Sequence, residues 1–286
     1  MTLVAVGDNC LDVYFQSDET FVGGNALNVA VNWARAGLDA RYVGAVGDDP
    51  AAPLIRAAVI DQGLAATDLD ELRGPTGVTL IALDGAERRF VYEEFGVGAL
   101  WQPPAETIAG ISAADWVHVA GVQRSAGLVS ELKARGATVS VDLSTFGDVD
   151  HIVGVDIAFA SSPDSLDEAT ELGERIVAAG AAMAVVTAGA AGSVAVTSDR
   201  RVPRSADAVD VVDTCGAGDS YIAAVIAASS AGANLDEAMR AGTAAASRTC
   251  GHRAGFPQQP STTRSWIVNT YYHHARAADP IQEAER

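Results

Sequence analysis

The segment from Val211 to Ser220 reads VVDTCGAGDS and places a carboxylate directly after a run of very small residues. An apolar stretch, a small-residue turn and a helical pattern predict a strand that leads into a helix N-terminus. Because Gly216, Ala217 and Gly218 have almost no side chains, several backbone N–H groups can converge there on one phosphate. Asp219 stands where a Walker-type loop would supply lysine, so it can accept the proton of an attacking hydroxyl. The pattern predicts phosphoryl transfer.

A simpler interpretation is that the two glycines form a tight connection and that Asp219 only interacts with the helix dipole. The longer string DTCGAGDS, however, resembles the signature of the PfkB, or ribokinase-like, family of carbohydrate kinases. The resemblance implies that Asp219 is the catalytic base and that Gly216, Ala217 and Gly218 form an anion hole. It also implies ATP as the phosphoryl donor, with Mg²⁺ bridging the phosphates.

Two N-terminal strings match further positions of the family. Gly7 and Asp12 fit a Gly-x-x-x-x-Asp arrangement after the first strand, and GGNALNVA fits Gly-Gly-x-x-x-Asn-x-Ala. The resemblance implies sugar contacts from Asp12, Gly23, Gly24 and Asn28. From the residues alone, Asp12 fits equally well on the solvated face of an edge strand, and the asparagines fit a capped surface helix with Asn25 as N-cap.

A hairpin is predicted where Val78–Leu83 and Arg88–Tyr92 flank Asp84-Gly85. In the family, such strands join the segment near Asp12 to form a small β-lid over the sugar. We therefore expect lid strands within about residues 11–22 and 76–98. Charged side chains that are candidate substrate contacts there are Arg89, Glu93 and Glu94, although a hairpin's charges can equally be a solvated face.

Alternating strand and helix patterns elsewhere predict an α/β fold, a three-layer sandwich with a mostly parallel central sheet and helices on both faces. We expect a single domain over residues 1–286, ending in a C-terminal tail at 261–286. The carboxyl ends of the strands should form the functional edge, where Asp142, Ser161 and Thr187 fall. By resemblance to the family, nucleotide contacts are expected from Thr187, Gly189, Gly192, Thr214 and Gly251.

One string departs from the family. PfkB kinases usually carry Asn-x-x-Glu after a strand, tied to the magnesium network, but residues 159–163 read FASSP and contain no asparagine. We expect either a weaker metal site or indirect Mg²⁺ ligation through water, with the candidate carboxylates Asp164, Asp167 and Glu168. A monovalent cation such as K⁺ is a further candidate cofactor.

Charge and cysteine content limit the partners. Nineteen basic residues against 37 acidic ones give a formal net charge of −18, which opposes binding to nucleic acid or an anionic membrane. Three cysteines without paired spacing indicate neither a disulfide framework nor a zinc site. With no basic leader and no long apolar span, we expect a cytoplasmic protein. A homodimer formed through the lid is also expected.

The N-terminal strings also bear on the identity of the phosphoryl acceptor. The strings GDNCLDVY and GGNALNVAV most resemble the family members that phosphorylate a sugar joined to an amino acid. This resemblance implies a glycated amino acid, a fructosamine such as fructoselysine, phosphorylated at its 6-hydroxyl. The alternatives are a kinase for a free sugar or a nucleoside, and a catalytically silent sugar or nucleotide sensor. No Gly-x-Gly-x-x-Gly with an acidic partner supports a dinucleotide-dependent oxidoreductase.

Overall fold

The larger sheet carries the strands that are buried on both faces. The structure is a computed structural model that describes residues 1–84, 87–111, 115–123, 125–146, 152–162 and 165–277. In these ranges the larger sheet has nine strands: β1 (Leu3–Gly7), β4 (Ala40–Gly47), β5 (Leu69–Leu72), β8 (Trp116–Ala120), β9 (Thr138–Asp142), β10 (Ile157–Ser161), β11 (Ala184–Thr187), β12 (Ser193–Val196) and β13 (Arg201–Arg204). Their order is β13-β12-β11-β10-β9-β8-β1-β4-β5, parallel except for the antiparallel β12 and β13.

Helices cover both faces of this sheet. They are α1 (Asn25–Arg35), α2 (Ala52–Asp61), α3 (Ala105–Ala109), α4 (Ala126–Ala134), α5 (Leu166–Ala178), α6 (Ala217–Ser230) and α7 (Leu235–Thr249). A further helix, α8 (Ser265–Ala277), packs against strand β7 (Glu87–Glu94) of a smaller sheet. Along β1, Leu3 and Ala5 belong to the core cluster on one face, whereas Val4 and Val6 belong to the other. Successive strand residues point to opposite faces of the sheet, and helices cover both faces. Every position of β1 is therefore buried and apolar. The predicted three-layer α/β fold is confirmed.

A smaller sheet stands beside the larger one. It consists of β2 (Cys10–Tyr14), β3 (Glu19–Gly23), β6 (Gly77–Asp84), β7 (Glu87–Glu94) and β14 (Ser261–Thr262), in the order β14-β3-β2-β6-β7. β2 and β6 are parallel, and the other neighbours are antiparallel. The predicted turn residue Gly85 lies outside the described residues. The segment expected to be a tail contributes β14 and α8, where Tyr271 packs 5.7 Å from the ring of Tyr92.

Asn25 does not cap α1 as the sequence suggested. The N-cap is Gly24, and the first backbone N–H groups of the helix donate instead to the Asp8 carboxylate, from Asn25 at 3.0 Å and Ala26 at 2.9 Å. The Asn25 side chain donates to the Thr145 hydroxyl at 2.8 Å. Such a long-range cap cannot be recognised from local spacing. At α7, by contrast, the cap is local: an asparagine followed three residues later by a glutamate predicts a capping box, and Asn234 and Glu237 form one.

Candidate active site

A cavity of about 410 Å³ lies between the carboxyl ends of the larger sheet's strands and the smaller sheet; we call it the main cavity. Its described lining includes six carboxylates, namely Asp8, Asp12, Glu93, Glu94, Asp142 and Asp219. No lysine or arginine occurs among the described lining residues. A cavity of this composition favours bound cations and ligands rich in hydrogen-bond donors.

Asp219 is held in place by an asparagine from the opposite wall. It lies in the first turn of α6 and is 8% exposed, and the Asn28 amide of α1 donates to its Oδ2 at 2.7 Å. The side-chain oxygen of Asn28 has no hydrogen-bond partner within the described structure. A Cβ at Gly255 would lie 2.4 Å from this amide, so the close packing requires glycine there. The sequence motifs alone gave no signal for Gly255.

The turn before α6 uses its glycines in two ways. Gly216 has a φ of +72°, and a Cβ there would lie 2.2 Å from the Gly255 Cα. A Cβ at Gly218 would meet nothing within 4 Å, and this residue lines the main cavity. The N–H groups in the first turn of a helix have no acceptor within that helix. With Ala217 between them, these residues therefore form a surface on which an anion can rest closely.

Asp213, at the start of the same motif, ties three segments together. Its fully buried carboxylate accepts hydrogen bonds from the Tyr14 hydroxyl at 2.5 Å, the Cys215 N–H at 2.9 Å and the Ala254 N–H at 3.1 Å. Burial raises the pKa of the Tyr14 hydroxyl well above its usual range, so this group stays a donor. The contacts join β2, the anion-binding turn and the turn that contains Gly255. Because Tyr14 is remote in sequence, local spacing could not reveal this role.

Asp12 is enclosed rather than solvated. It is 4% exposed on β2, which lies between β3 and β6, so the alternative of an edge strand with a solvated face is wrong. The Cys10 thiol donates to its Oδ1 at 3.3 Å, and the Cys215 thiol approaches Oδ2 at 3.7 Å. A Cβ at Gly23 would lie 2.2 Å from Asp12 Oδ2. Gly24 adopts a φ of +113° against the backbone of Asn9.

Two further carboxyls in the cavity lining, those of Asp8 and Asp142, are half-buried. Burial raises the pKa of Asp8 to about 6, although its hydrogen bonds from the α1 backbone lower it. Burial also raises the pKa of Asp142, which ends β9 and accepts the Ser144 N–H at 2.9 Å and hydroxyl at 2.7 Å. Local patterns give no signal for Asp8, because this residue lies in the loop between the two motif positions Gly7 and Asp12. Asp142 was expected only at the functional edge.

The hairpin residues divide between the cavity and the surface. Glu93 and Glu94 line the cavity, with Glu93 opposite Thr79 in the register of β6 and β7. Arg89 is exposed and absent from the lining. Phe90 lines the cavity while 47% exposed, and no motif in the sequence marks it.

The nucleotide-binding candidates lie near the N-terminal end of α6, where Thr187 lines the same cavity as Gly218 and Asp219. Thr187 lines the main cavity, and its hydroxyl is 3.1 Å from that of Ser161. Gly189 begins a single 3₁₀ turn, and Gly192 closes it at a φ of +112°. The Ser193 hydroxyl lies 2.9 Å from the Tyr221 hydroxyl, which holds this turn beside α6. Thr214 and Gly251 are both exposed. The segments that contain them are joined by a hydrogen bond from the Val212 N–H to the Cys250 carbonyl at 2.8 Å.

The metal candidates are not brought together. Asp167 and Glu168 are exposed in the first turn of α5 and do not line the cavity, whereas Asp164 lies outside the described residues. Across the ranges that the structure describes, no three His, Cys, Asp or Glu side chains are arranged to hold a metal ion. A divalent ion is therefore compatible with this site only if phosphate and water supply most of its ligands.

Known proteins have similar sequences and a similar fold. Residues 1–139 and 145–260 match the model of the pfkB family carbohydrate kinases. The fructoselysine 6-kinase of Escherichia coli (strain K12) is 35% identical over 256 residues, covering 87% of this chain and 97% of that protein. A fructosamine kinase of Bacillus subtilis (strain 168) is 33% identical over 268 residues, covering 90% and 93%.

Among solved structures, Arabidopsis thaliana ribokinase complexed with ribose and ATP superposes with a TM-score of 0.75 at 22% identity, covering 90% of this chain and 96% of that one. The matched family and the kinase relatives define a phosphotransferase with an alcohol group as acceptor. The chain belongs to the PfkB family of carbohydrate kinases. None of the described helices has the length and apolarity to cross a membrane.

Proposed function

We propose that the protein transfers the γ-phosphoryl group of ATP to the 6-hydroxyl of a fructosamine, with fructoselysine as the best candidate. The observation that carries this proposal is the main cavity's described lining, which has six carboxylates and no lysine or arginine. A fructosamine has a secondary amine that is protonated near neutral pH, whereas fructose and ribose are uncharged. Similarity to kinases named for fructoselysine and for fructosamine supports the same acceptor.

The chemistry of the acceptor defines which hydroxyl reacts. In a fructosamine the amine replaces the hydroxyl on C1, so C6 bears the remaining primary hydroxyl of the sugar. A primary hydroxyl is the least hindered of the sugar's hydroxyls. Its proton passes to the Asp219 carboxylate as the oxygen attacks, and the Asn28 amide, 2.7 Å from Oδ2, keeps that carboxylate oriented.

The turn before α6 acts on the phosphate side of the reaction. Its first-turn N–H groups and the positive end of the helix dipole stabilise charge that develops on the transferring group. The open space at Gly218 lets phosphate approach the backbone. ATP, when bound, supplies the phosphoryl group, and a divalent ion neutralises its phosphates. We propose that Thr187, Gly189, Gly192, Thr214 and Gly251 contact the nucleotide.

Other properties of the chain stay predictions. These are a K⁺ requirement, a cytoplasmic location, a homodimer formed through the smaller sheet, and indirect metal contacts from Asp167 and Glu168. Each follows from the family resemblance or the composition.

A coupled assay of ADP release tests the proposed acceptor. We expect kcat/KM for fructoselysine to exceed that for fructose, ribose and adenosine by at least about tenfold, since a charge-assisted contact is worth roughly 1.5–3 kcal/mol. A higher kcat/KM with a free sugar or a nucleoside would disprove the fructosamine assignment and leave the kinase assignment intact. No turnover of any compound would favour a silent sensor.

A further inference from the structure

A second cavity adjoins the main cavity through a single acid. It has a volume of about 330 Å³, lies at the carboxyl ends of β8 and β9, and shares Asp142 with the main cavity. Apart from Asp142, its described lining is uncharged, with walls formed by Val119, Val122, Val141, Leu143, Phe146 and Ile152. A molecule that extends from one cavity into the other must therefore pass a carboxylate at the junction.

A fructosamine has the same sequence of parts, with a polyol, then an ammonium group, then an amino-acid portion. We infer that Asp142 is the counter-ion of the substrate's ammonium group and that the second cavity holds the methylene chain of the amino-acid portion. This inference rests on the proposed function and adds a specificity-determining residue and a subsite to it. The sugar remains in the main cavity, where the buried Asn28 oxygen lacks a hydrogen donor within the described structure.

The contacts of Asp142 suit this role. Its described hydrogen bonds come only from neutral groups, which are the Ser144 N–H and hydroxyl on Oδ1 and a long 3.5 Å contact from the Asn25 amide on Oδ2. Oδ1 is therefore held in place, while Oδ2 has only a weak donor. Asp142 is half-buried, its described donors are neutral, and the Asp8 carboxyl lies near it. Such a carboxylate gains from a cationic ligand, because burial and a neighbouring acid both disfavour its charged form.

The other cavity acids have stronger existing contacts or other roles. Asp8 caps α1 through two backbone N–H groups, and Asp219 is bound by Asn28 beside the anion-binding turn. Asp12 has thiols on both sides. The lid residues Glu93 and Glu94 line the main cavity but not the second one.

An aromatic pair marks the rim between the two cavities. Phe95 lines the main cavity, Phe146 lines the second, and their ring centroids are 4.7 Å apart. Apolar walls next to a carboxylate match an alkyl chain attached to an ammonium group, since the chain loses contact with water while the charge remains paired.

The first test compares kcat/KM for fructoselysine with that for fructose in Asp142→Asn, which keeps an acceptor for Ser144 but loses the charge. We expect the fructoselysine-to-fructose ratio to fall at least tenfold. Glu93→Gln and Glu94→Gln are comparison variants, not inert controls: each removes a charge from the main cavity alone, and the fructoselysine-to-fructose ratio should fall less than threefold. If either lid variant narrows the ratio and Asp142→Asn does not, the ammonium group lies under the lid and this inference is wrong.

The second test varies the tail. Ala126→Leu narrows the second cavity, which Ala126 lines from the first turn of α4. We expect it to lower kcat/KM for fructoselysine at least fivefold more than for 1-methylamino-1-deoxyfructose, which has the ammonium group but no long chain. Asp142→Asn should affect both amines alike. Equal effects of Ala126→Leu on the two amines would overturn the subsite.

The substrate preference of the wild-type enzyme distinguishes failure of the proposed function from failure of the Asp142 inference alone. If it prefers fructose to both amines, the proposed function fails, and the inference fails with it. If it prefers the amines but Asp142→Asn keeps the wild-type ratio, the proposed function stands and the inference alone fails.

Discussion

At the turn before α6, Gly216 has a left-handed backbone and Gly218 faces open space. Both glycines belong to one sequence motif, yet the structure gives them different tasks. A side chain at Gly216 would strain the backbone and collide with Gly255, whereas a side chain at Gly218 would only fill the region that phosphate must approach.

We expect Gly218→Val to fold and to lose nucleotide affinity, with KM for ATP raised at least about tenfold, since the branched side chain covers the backbone N–H groups. Gly216→Val is the matched comparison and should lower the free energy of unfolding by several kcal/mol, on the scale of core overpacking and backbone strain. Circular dichroism and ATP titration measure both effects. A folded Gly218→Val enzyme with wild-type KM for ATP would contradict the anion-hole assignment.

Asp219→Asn retains the shape of the site and removes the base. We expect kcat to fall by about 10²-fold to 10⁴-fold, the usual size of a general-base contribution, while ATP still binds. Steady-state kinetics at saturating acceptor, together with nucleotide titration, measure this change. Near-wild-type turnover of the variant would contradict the role of Asp219.

At the scale of elements, the Asp213 carboxylate links the smaller sheet to the catalytic turn. Its partners are the hydroxyl of Tyr14 on β2, the Cys215 N–H and the Ala254 N–H, and all three contacts are buried. Through the last of these it also fixes the turn in which Gly255 packs on Asn28. We therefore expect the position of the smaller sheet to affect the positions of Asn28 and Asp219.

Tyr14→Phe tests this coupling, because it removes the hydroxyl and keeps the ring packed against Phe21 at 5.4 Å between centroids. We expect a loss of stability of about 1–2 kcal/mol, the cost of one buried hydrogen bond to a carboxylate. We also expect a fall in kcat of about fivefold or more. Thermal unfolding and initial-rate kinetics give the two values. Unchanged kcat despite lower stability would limit Tyr14 to a structural role.

The sequence predicts elements better than the contacts between them. Apolar runs and glycine turns predicted the central parallel strands, and the spacing of Asn234 and Glu237 predicted their capping box. Local patterns could not predict that Asp8 caps α1, that β14 joins the smaller sheet or that Asp213 binds Tyr14. Those features depend on residues that only the fold brings together.

At the scale of the whole molecule, the buried acids make stability depend on pH. Burial raises the pKa of Asp8 from 3.8 to about 6, so between these values the folded protein binds a proton that the unfolded chain has lost. This group therefore lowers stability as pH rises from about 4 to 6. His118 acts in the opposite direction, because burial lowers its pKa to about 3 and the unfolded chain takes up its proton below pH 6.5.

The contribution of Asp8 to the pH dependence of stability is separated from that of His118 by comparing the wild type with an Asp8 variant at each pH. Asp8→Asn cannot ionise, so its stability relative to wild type should improve by about 2–3 kcal/mol as pH rises from 4 to 7, the free-energy equivalent of a shift of about two pKa units. At low pH the variant should be the less stable protein, because one amide oxygen replaces two carboxyl acceptors at the start of α1. Urea unfolding at each pH measures the difference, and a constant difference would contradict the raised pKa.

The acceptor and the position of phosphorylation are best tested together on the product. Wild-type enzyme, ATP, Mg²⁺ and fructoselysine should yield a phosphate monoester whose phosphorus couples to the C6 methylene protons in ¹H–³¹P NMR. The same mixture with Asp219→Asn should yield little or no product in the same time. Phosphorus coupled to another position, or no product from fructoselysine under conditions in which fructose is phosphorylated, would contradict a fructosamine 6-kinase.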